Sequence, residues 1–346
     1  MAKKGAVLAV LGLIVFVLIF RFVGATEILS VLRNANPYLI GLSVFFQFSL
    51  LLVWTFRWQL ITEYLKIGIP FYRLFPYLLF INFGDIITPG PRFGSEPVVA
   101  YLIQKNEGQK AGTVMASMLV ERLYGLISFN MISLFSIFVL FGYMSVGLLN
   151  LSGWVLMLIV LSLMVAVGLT LFVAYIFYTE NRGLTMVMGW AHRILPFVYQ
   201  KFYKNDVRGM RATEVKLRKS AKTFFDDVLL LGGDPKLWVN GMFMSFAFYI
   251  IYFIQTFYAF AAVGIFKGLG FFFVVAMMMT LAELTGYIIM LPSAVGVTEI
   301  LMISILSGYG IPLGQAAAGT LIARGIYYIF GLLTGYIGLI WVERKK

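Results

Sequence analysis

Residues 88–96 read TPGPRFGSE and residues 291–299 read LPSAVGVTE, so in both a proline is followed seven residues later by a glutamate, with a glycine between them. The offset is 203 residues. It nearly persists downstream, where GTVMASMLVER (Gly112 to Arg122) lies over GQAAAGTLIAR (Gly314 to Arg324) at an offset of 202. This pairs Gly112 with Gly314, Ala116 with Ala318 and Arg122 with Arg324. Each copy interrupts an apolar segment with Pro and Gly, sets a glutamate just after the break, and carries an arginine into the next apolar helix. Broken helices beside embedded charges are how membrane transporters assemble a polar site in lipid.

Composition agrees. Hydrophobic residues make up 61% of the 346, charged residues 12%, and the mean hydropathy is +0.92. A soluble domain has an apolar share of roughly 45–50%, so this chain needs lipid as its solvent. The length suits one polytopic domain over residues 1–346, and the longest polar stretch is too short to bury a second core. With no cysteine, disulfides, thiolate metal sites and cysteine nucleophiles are excluded.

Apolar runs long enough to cross about 30 Å of hydrocarbon lie at Ala6–Phe22, Pro37–Trp58, Ala111–Gly142, Leu151–Tyr178, Leu237–Ile265 and Pro312–Val342. They predict six crossings. Asn36-Pro37 and Asp234-Pro235 each set an N-cap side chain before a proline at the first helical position, which marks two helix starts. The first run follows Lys3 and Lys4 and has a small-residue site at Val23-Gly24-Ala25, so a secretory signal is the alternative reading there. The segments 71–90 with 94–104, and 268–290 with 293–308, are each split by a Pro/Gly break. We expect two re-entrant helical hairpins, with two full crossings each as the alternative; either returns the chain to the side it left.

With the N-terminus inside, 21 Lys and Arg fall on the cytoplasmic side: Lys3, Lys4, Arg57, Lys66, Arg73, Lys105, Lys110, the eleven from Arg182 to Lys236, and Arg344 to Lys346. Only Arg21, Arg33 and Lys267 fall outside. This bias predicts a multi-pass protein of the cell membrane with both termini cytoplasmic. The two copies, repeat 1 at about 71–142 and repeat 2 at about 268–342, are then inverted. Arg122 and Arg324 each lie 12 residues beyond the nearest helix start, Lys110 and Pro312. At ~1.5 Å per residue that is about 18 Å, near the bilayer midplane approached from opposite faces.

Buried arginines need partners, and Glu96 and Glu299 are the natural ones. Read functionally, Arg122 and Arg324 hold a phosphate or lipid head group while the glutamates neutralise them when the site is empty. Read structurally, they are permanent ion pairs pinning broken helices together. Asp85 and Glu283 are secondary candidates: both precede the break in their hairpin, though not at matching offset. Arg92 has Val295 at its equivalent position, which makes the first half more cationic. Glu121, next to Arg122, points about 100° away from it on a helix.

The basic segment 180–236 is the largest polar region. Its first part, GLTMVMGWAHRILPFVYQKFY, suits a helix lying in the interface, and its second, VRGMRATEVKLRKSAKTFFDDVLLL, suits anionic lipid head groups. A solvated cytoplasmic linker is the plainer reading. Nucleic acid is not an expected partner, because the charge follows topology and no reading helix accompanies it. Catalytic chemistry has little to work with: one histidine, His192, no HExxH and no nucleotide loop. No metal site, cofactor or catalytic residue is expected.

PGPRFGSE, LVERLYGL, LPSAVGVTE and GQAAAGTLIARGIYYIFGL together resemble the lysylphosphatidylglycerol synthase transmembrane family, the flippase-like domain of the multiple peptide resistance factor. The resemblance covers roughly residues 5 to 342. It implies two re-entrant repeats around a cavity whose polar residues are Arg92, Glu96, Arg122, Glu299 and Arg324. The chain stops at Lys346 without a soluble aminoacyl-transferase domain, so a separately made lipid, such as a polyprenyl-phosphate carrier of glycosylation pathways, is as plausible a substrate as an aminoacylated phospholipid. The expected fold is all-α and polytopic. The expected function is moving a lipid with an anionic or zwitterionic head between leaflets, alongside a separate lipid-modifying enzyme or glycosyltransferase. The rival is a non-transporting scaffold for a glycosyltransferase, and less so an intramembrane lipid-modifying enzyme.

Overall fold

The computed structural model describes residues 25–87, 95–147, 153–178, 207–266, 268–286 and 295–344, with a few positions between 184 and 196. Among the described residues every regular element is helical. They are α1 (Ala25–Arg33), α2 (Pro37–Tyr64), α3 (Phe71–Ile87), α4 (Glu96–Glu107), α5 (Ala111–Ser145), α6 (Gly153–Tyr178) and α7 (Val207–Gly232). Then come α8 (Pro235–Ala262), α9 (Gly268–Gly286), α10 (Val297–Gly308), α11 (Leu313–Gly325), a π-helical turn (Ile326–Phe330) and α12 (Gly331–Arg344).

Four stretches are long and apolar enough to cross a membrane: α2, α5, α8 and the continuous Leu313–Arg344. All four coincide with predicted crossings. A fifth, Leu151–Tyr178, matches α6, and Ala6–Phe22 lies outside the described residues. The proline-started helices begin where their caps predict. Asn36 Oδ1 accepts from the backbone N–H of Tyr38 at 3.0 Å, and Asp234 Oδ1 from those of Lys236 and Leu237 at 2.8 and 3.1 Å.

α2 and α8 run antiparallel through the centre. Ser43 Oγ donates to the Gln255 carbonyl at 2.8 Å, and Trp54 meets Phe248 edge to face lower down. Around this pair the interrupted segments fold back on themselves. At the closed end of the first hairpin, Ser95 Oγ donates to the Ile81 carbonyl at 3.2 Å; at its open end Arg73 lies 3.4 Å from Glu107. In the second hairpin, Phe271 near the start of α9 packs on Tyr309 just past α10. The residues of both breaks themselves, including Pro89, Arg92, Gly94 and Pro292, lie outside the described residues.

Glycines set the closest approaches. On α12, Gly331 faces Ile86 and Asn82, Gly335 faces Phe83 and the Leu79 carbonyl, and Gly338 faces the Pro76 carbonyl. A Cβ on Gly338 would lie 2.7 Å from that oxygen. α12 therefore runs antiparallel to α3 with almost no side chains between, an arrangement typical of small residues at helix contacts in lipid. α7 lies along the start of α5, burying Ala221, Phe225, Val228 and Leu231, with Gly112 against the Ser220 carbonyl.

Two features escaped the sequence. α1 is a short amphipathic helix with Ile28 fully buried and Glu27 against Gly314. Arg57, counted above with the cytoplasmic residues, is buried: α2 continues to Tyr64, six residues beyond the predicted edge at Trp58, and carries Arg57 inward. The cytoplasmic count falls from 21 to 20 and its sense is unchanged.

Candidate functional site

Among the described residues two buried arginines, Arg57 and Arg324, and the partly buried Arg122 organise the interior. Arg122, in mid-α5, lies between the two helices of the first hairpin. Its Nη2 donates to Asp85 Oδ2 and to Glu96 Oε1, both at 2.7 Å, and its Nε reaches Glu96 Oε1 at 3.0 Å. The guanidinium stands over the Trp54 ring, 5.2 Å from its centre. Its side chain keeps 16% exposure, whereas Asp85 and Glu96 are nearly sealed.

Arg324, at the end of α11, repeats this against the second hairpin. Its Nε donates to Glu299 Oε1 at 2.9 Å, its Nη1 lies 3.5 Å from Glu283 Oε1, and its Nη2 is 2.5 Å from the Tyr328 hydroxyl. Tyr328 donates in turn to Glu299 Oε1 at 3.0 Å. Glu299 has a second duty: its Oε2 accepts from the Gly296 backbone N–H at 2.5 Å and caps α10. Gly296 sits at φ 93°, a conformation that costs glycine little and other residues more. The exposures are reversed from the first cluster. Arg324 is 2% exposed and Glu299 fully buried, while the Glu283 side chain keeps 19%.

The third arginine is Arg57, whose Nε donates to Glu121 Oε1 at 2.8 Å and whose Nη1 donates to Ser245 Oγ at 2.9 Å. Glu121 thus pairs with Arg57 and not with Arg122, although it lines the same small space as Arg122. Nothing in the sequence offset marks Arg57, because its partner comes from another helix at the same depth.

Between the Arg122 and Arg324 clusters lies an open cavity of about 60 Å³. Asp85 enters it from α3 and Glu283 from α9. Gln47 and Asn82 add amides, and Trp54, Phe248, Tyr252 and Tyr327 add rings. Tyr252 donates to Glu283 Oε1 at 2.9 Å. A smaller space of about 10 Å³, which Trp54 also lines, is walled by Arg122, Glu96 and Glu121. Of the predicted site residues, Glu96, Arg122 and Asp85 come together in one cluster and Glu299, Arg324 and Glu283 in the other. Arg92 lies outside the described residues. Sequence reasoning missed Gln47, Trp54, Tyr252 and Tyr328; for Tyr328, spacing of i to i+4 from Arg324 was an available signal.

Long apolar helices with interrupted hairpins and buried charge clusters define a multi-pass helical membrane protein with a polar interior. The chain matches the family described as lysylphosphatidylglycerol synthase TM region over residues 5–335, and it belongs to that family. It is 29% identical over 328 residues to a UPF0104 membrane protein of Methanothermobacter thermautotrophicus, covering 95% of this chain and 92% of the relative. A UPF0104 membrane protein of Methanocaldococcus jannaschii is 25% identical over 346 residues, with 99% and 96% covered. One from Pyrococcus horikoshii is 20% identical, with 99% and 98% covered.

Proposed function

We propose that this protein is a lipid translocator that passes a phosphate-containing head group between leaflets through the cavity while the tails stay in lipid. The observation that carries this reading is the convergence of Asp85 and Glu283, one from each interrupted hairpin, on one cavity. In this reading the hairpins are re-entrant. α4 and α10 have 12 residues each, about 18 Å at ~1.5 Å per residue, too short for a hydrocarbon core of about 30 Å. The two halves form inverted repeats, the six crossings leave both termini in the cytoplasm, and the setting is the cell membrane.

Arg122 is the group we assign to the phosphate. It is the least buried of the three interior arginines and meets the cavity through Asp85, which lines it, and its planar fork, now held by Asp85 and Glu96, matches a phosphate oxygen pair. Trp54 and the tyrosines around Glu283 suit the remainder of the head, including an ammonium if one is present. Arg324, sealed behind Glu283, Glu299 and Tyr328, is a positioning residue in this scheme. The family supports a flippase-like role; the choice of lipid, phospholipid or polyprenyl-phosphate carrier, rests on the site alone.

The test is reconstitution in liposomes containing head-labelled fluorescent lipids, with a membrane-impermeant quencher added outside. Protein that moves lipid makes the inner-leaflet fraction quenchable. If quenching stops at the outer leaflet for phospholipid and polyprenyl-phosphate probes alike, translocation is excluded and a scaffold role takes its place.

A further inference from the structure

Two amides in the cavity wall carry hydrogen-bonding capacity that the protein does not use. Gln47 on α2 and Asn82 on α3 both line the cavity, and they are 3% and 5% exposed. Among the described residues nothing donates to Gln47 Oε1 and nothing accepts from Asn82 Nδ2. The first is an acceptor and the second a donor. A buried polar atom without a partner costs free energy, so the wall asks for an occupant that can both donate and accept. The cavity's carboxylates are engaged already, Asp85 with Arg122 and Glu283 with Tyr252 and Arg324.

The chemical groups of a lipid head differ in what they offer this wall. A phosphodiester has acceptors only and would face both carboxylates. An ammonium has donors only and leaves Asn82 Nδ2 unused. A hydroxyl does both, and a ring with neighbouring hydroxyls does so at two points. The rest of the wall suits such a ring: Trp54, Phe248, Tyr252 and Tyr327 supply aromatic side chains against which the apolar C–H side of a sugar packs. At about 60 Å³ the open cavity has room for a few waters, hence for the hydroxyls on one edge of a ring entering from its mouth.

We propose that the cavity recognises a sugar, so that the translocated lipid carries a hexose-like ring beside its phosphate. One ring hydroxyl donates to Gln47 Oε1, another accepts from Asn82 Nδ2, and Arg122 keeps the phosphate. The passage of that lipid rests on the translocator reading; the recognition of its sugar does not.

The binding test uses purified protein in lipid nanodiscs, with thermal unfolding followed by tryptophan fluorescence while one probe at a time is titrated. The probes are a short polyprenyl phosphate with and without a mannosyl, glucosyl or galactosyl unit, phosphatidylglycerol, phosphatidylethanolamine and free hexose 1-phosphate. A sugar site predicts a saturable rise in Tm at a concentration at least tenfold lower for one glycosylated probe than for its bare parent and the two phospholipids. A monodeoxy version of that probe should lose at least tenfold, because the amide served by the missing hydroxyl is left unpaired. Gln47→Leu and Asn82→Leu should each abolish the preference for the glycosylated probe and leave the unliganded Tm unchanged or higher, since hydrocarbon replaces an unpartnered buried amide. If neither variant folds, the deoxy probe decides on the wild-type protein. Equal response to glycosylated and bare probes, a stronger response to either phospholipid, or a preference retained in both variants overturns the sugar site. A response to hexose 1-phosphate as strong as that to the lipid overturns the lipid as the source of the sugar. In the liposome assay, sugar-selective binding without lipid movement removes the translocator reading and leaves the site. Lipid movement without sugar selectivity does the reverse.

Discussion

Asp85 and Arg122 are 37 residues apart in sequence and 2.7 Å apart in space. Glu283 stands to Arg324 in the same way, 41 residues before it. In each half the carboxylate comes from the helix before the break, while Glu96 or Glu299 comes from the helix after it. The arginine therefore ties together the two pieces of an interrupted segment and sets the carboxylates at the cavity wall.

If Arg122 grips the head group, Arg122→Ala abolishes lipid translocation while the protein still inserts and purifies as a monodisperse species. Arg122→Lys is also poor, because an ammonium lacks the planar fork. Removing Asp85, Glu96 and Arg122 together separates the two roles. Recovery of both folding and quencher-detected transport in that triple variant would show the arginine to be only a tie.

Arg57 and Glu121 are expected to matter for stability and not for transport. Arg57→Ala strands a buried carboxylate and should cost about 3–5 kcal/mol, whereas Arg57→Met with Glu121→Leu should be near neutral. Thermal melts in detergent read the difference. A double variant with wild-type Tm and no transport would move this pair into the mechanism.

Orientation is checked by cysteine labelling, which is clean in a chain with no cysteine of its own. Ser145→Cys, at the end of α5, should react with an impermeant maleimide from outside intact cells. Lys216→Cys, on α7, should react only after permeabilisation. Labelling of both from one side would end the inverted-repeat reading.

The parts of this structure that sequence displayed are those settled locally. Asn36 and Asp234 cap helices from three residues away, so their sites were readable. Arg122 and Arg324 stood out because burying a guanidinium is costly wherever it occurs. Asp85 and Glu283 failed to align because they stand at different distances before the prolines of their breaks, four residues before Pro89 and nine before Pro292. Arg57 was misplaced for a different reason. Its burial is decided by Glu121 and Ser245, which come from other helices and leave no mark in the sequence around it.

The seam between α3 and α12 should tolerate no side chain. Gly335→Leu drives a branched chain into Phe83 and the Leu79 carbonyl, and overpacking of this kind costs about 1–3 kcal/mol. A lowered Tm in detergent is the expected result, with Gly41→Ala, which meets nothing within 4 Å, as the control.

That seam also constrains how the molecule moves. α3 belongs to the first hairpin and α12 is the last described helix, so the first hairpin and the C-terminal helix are clasped at close approach. Rocking α12 against α3 would shear three close glycine contacts at once, at Gly331, Gly335 and Gly338. In the translocator reading proposed above, the parts that this clasp leaves alone include the short helices α4 and α10, so displacement is expected there before it is expected between α3 and α12.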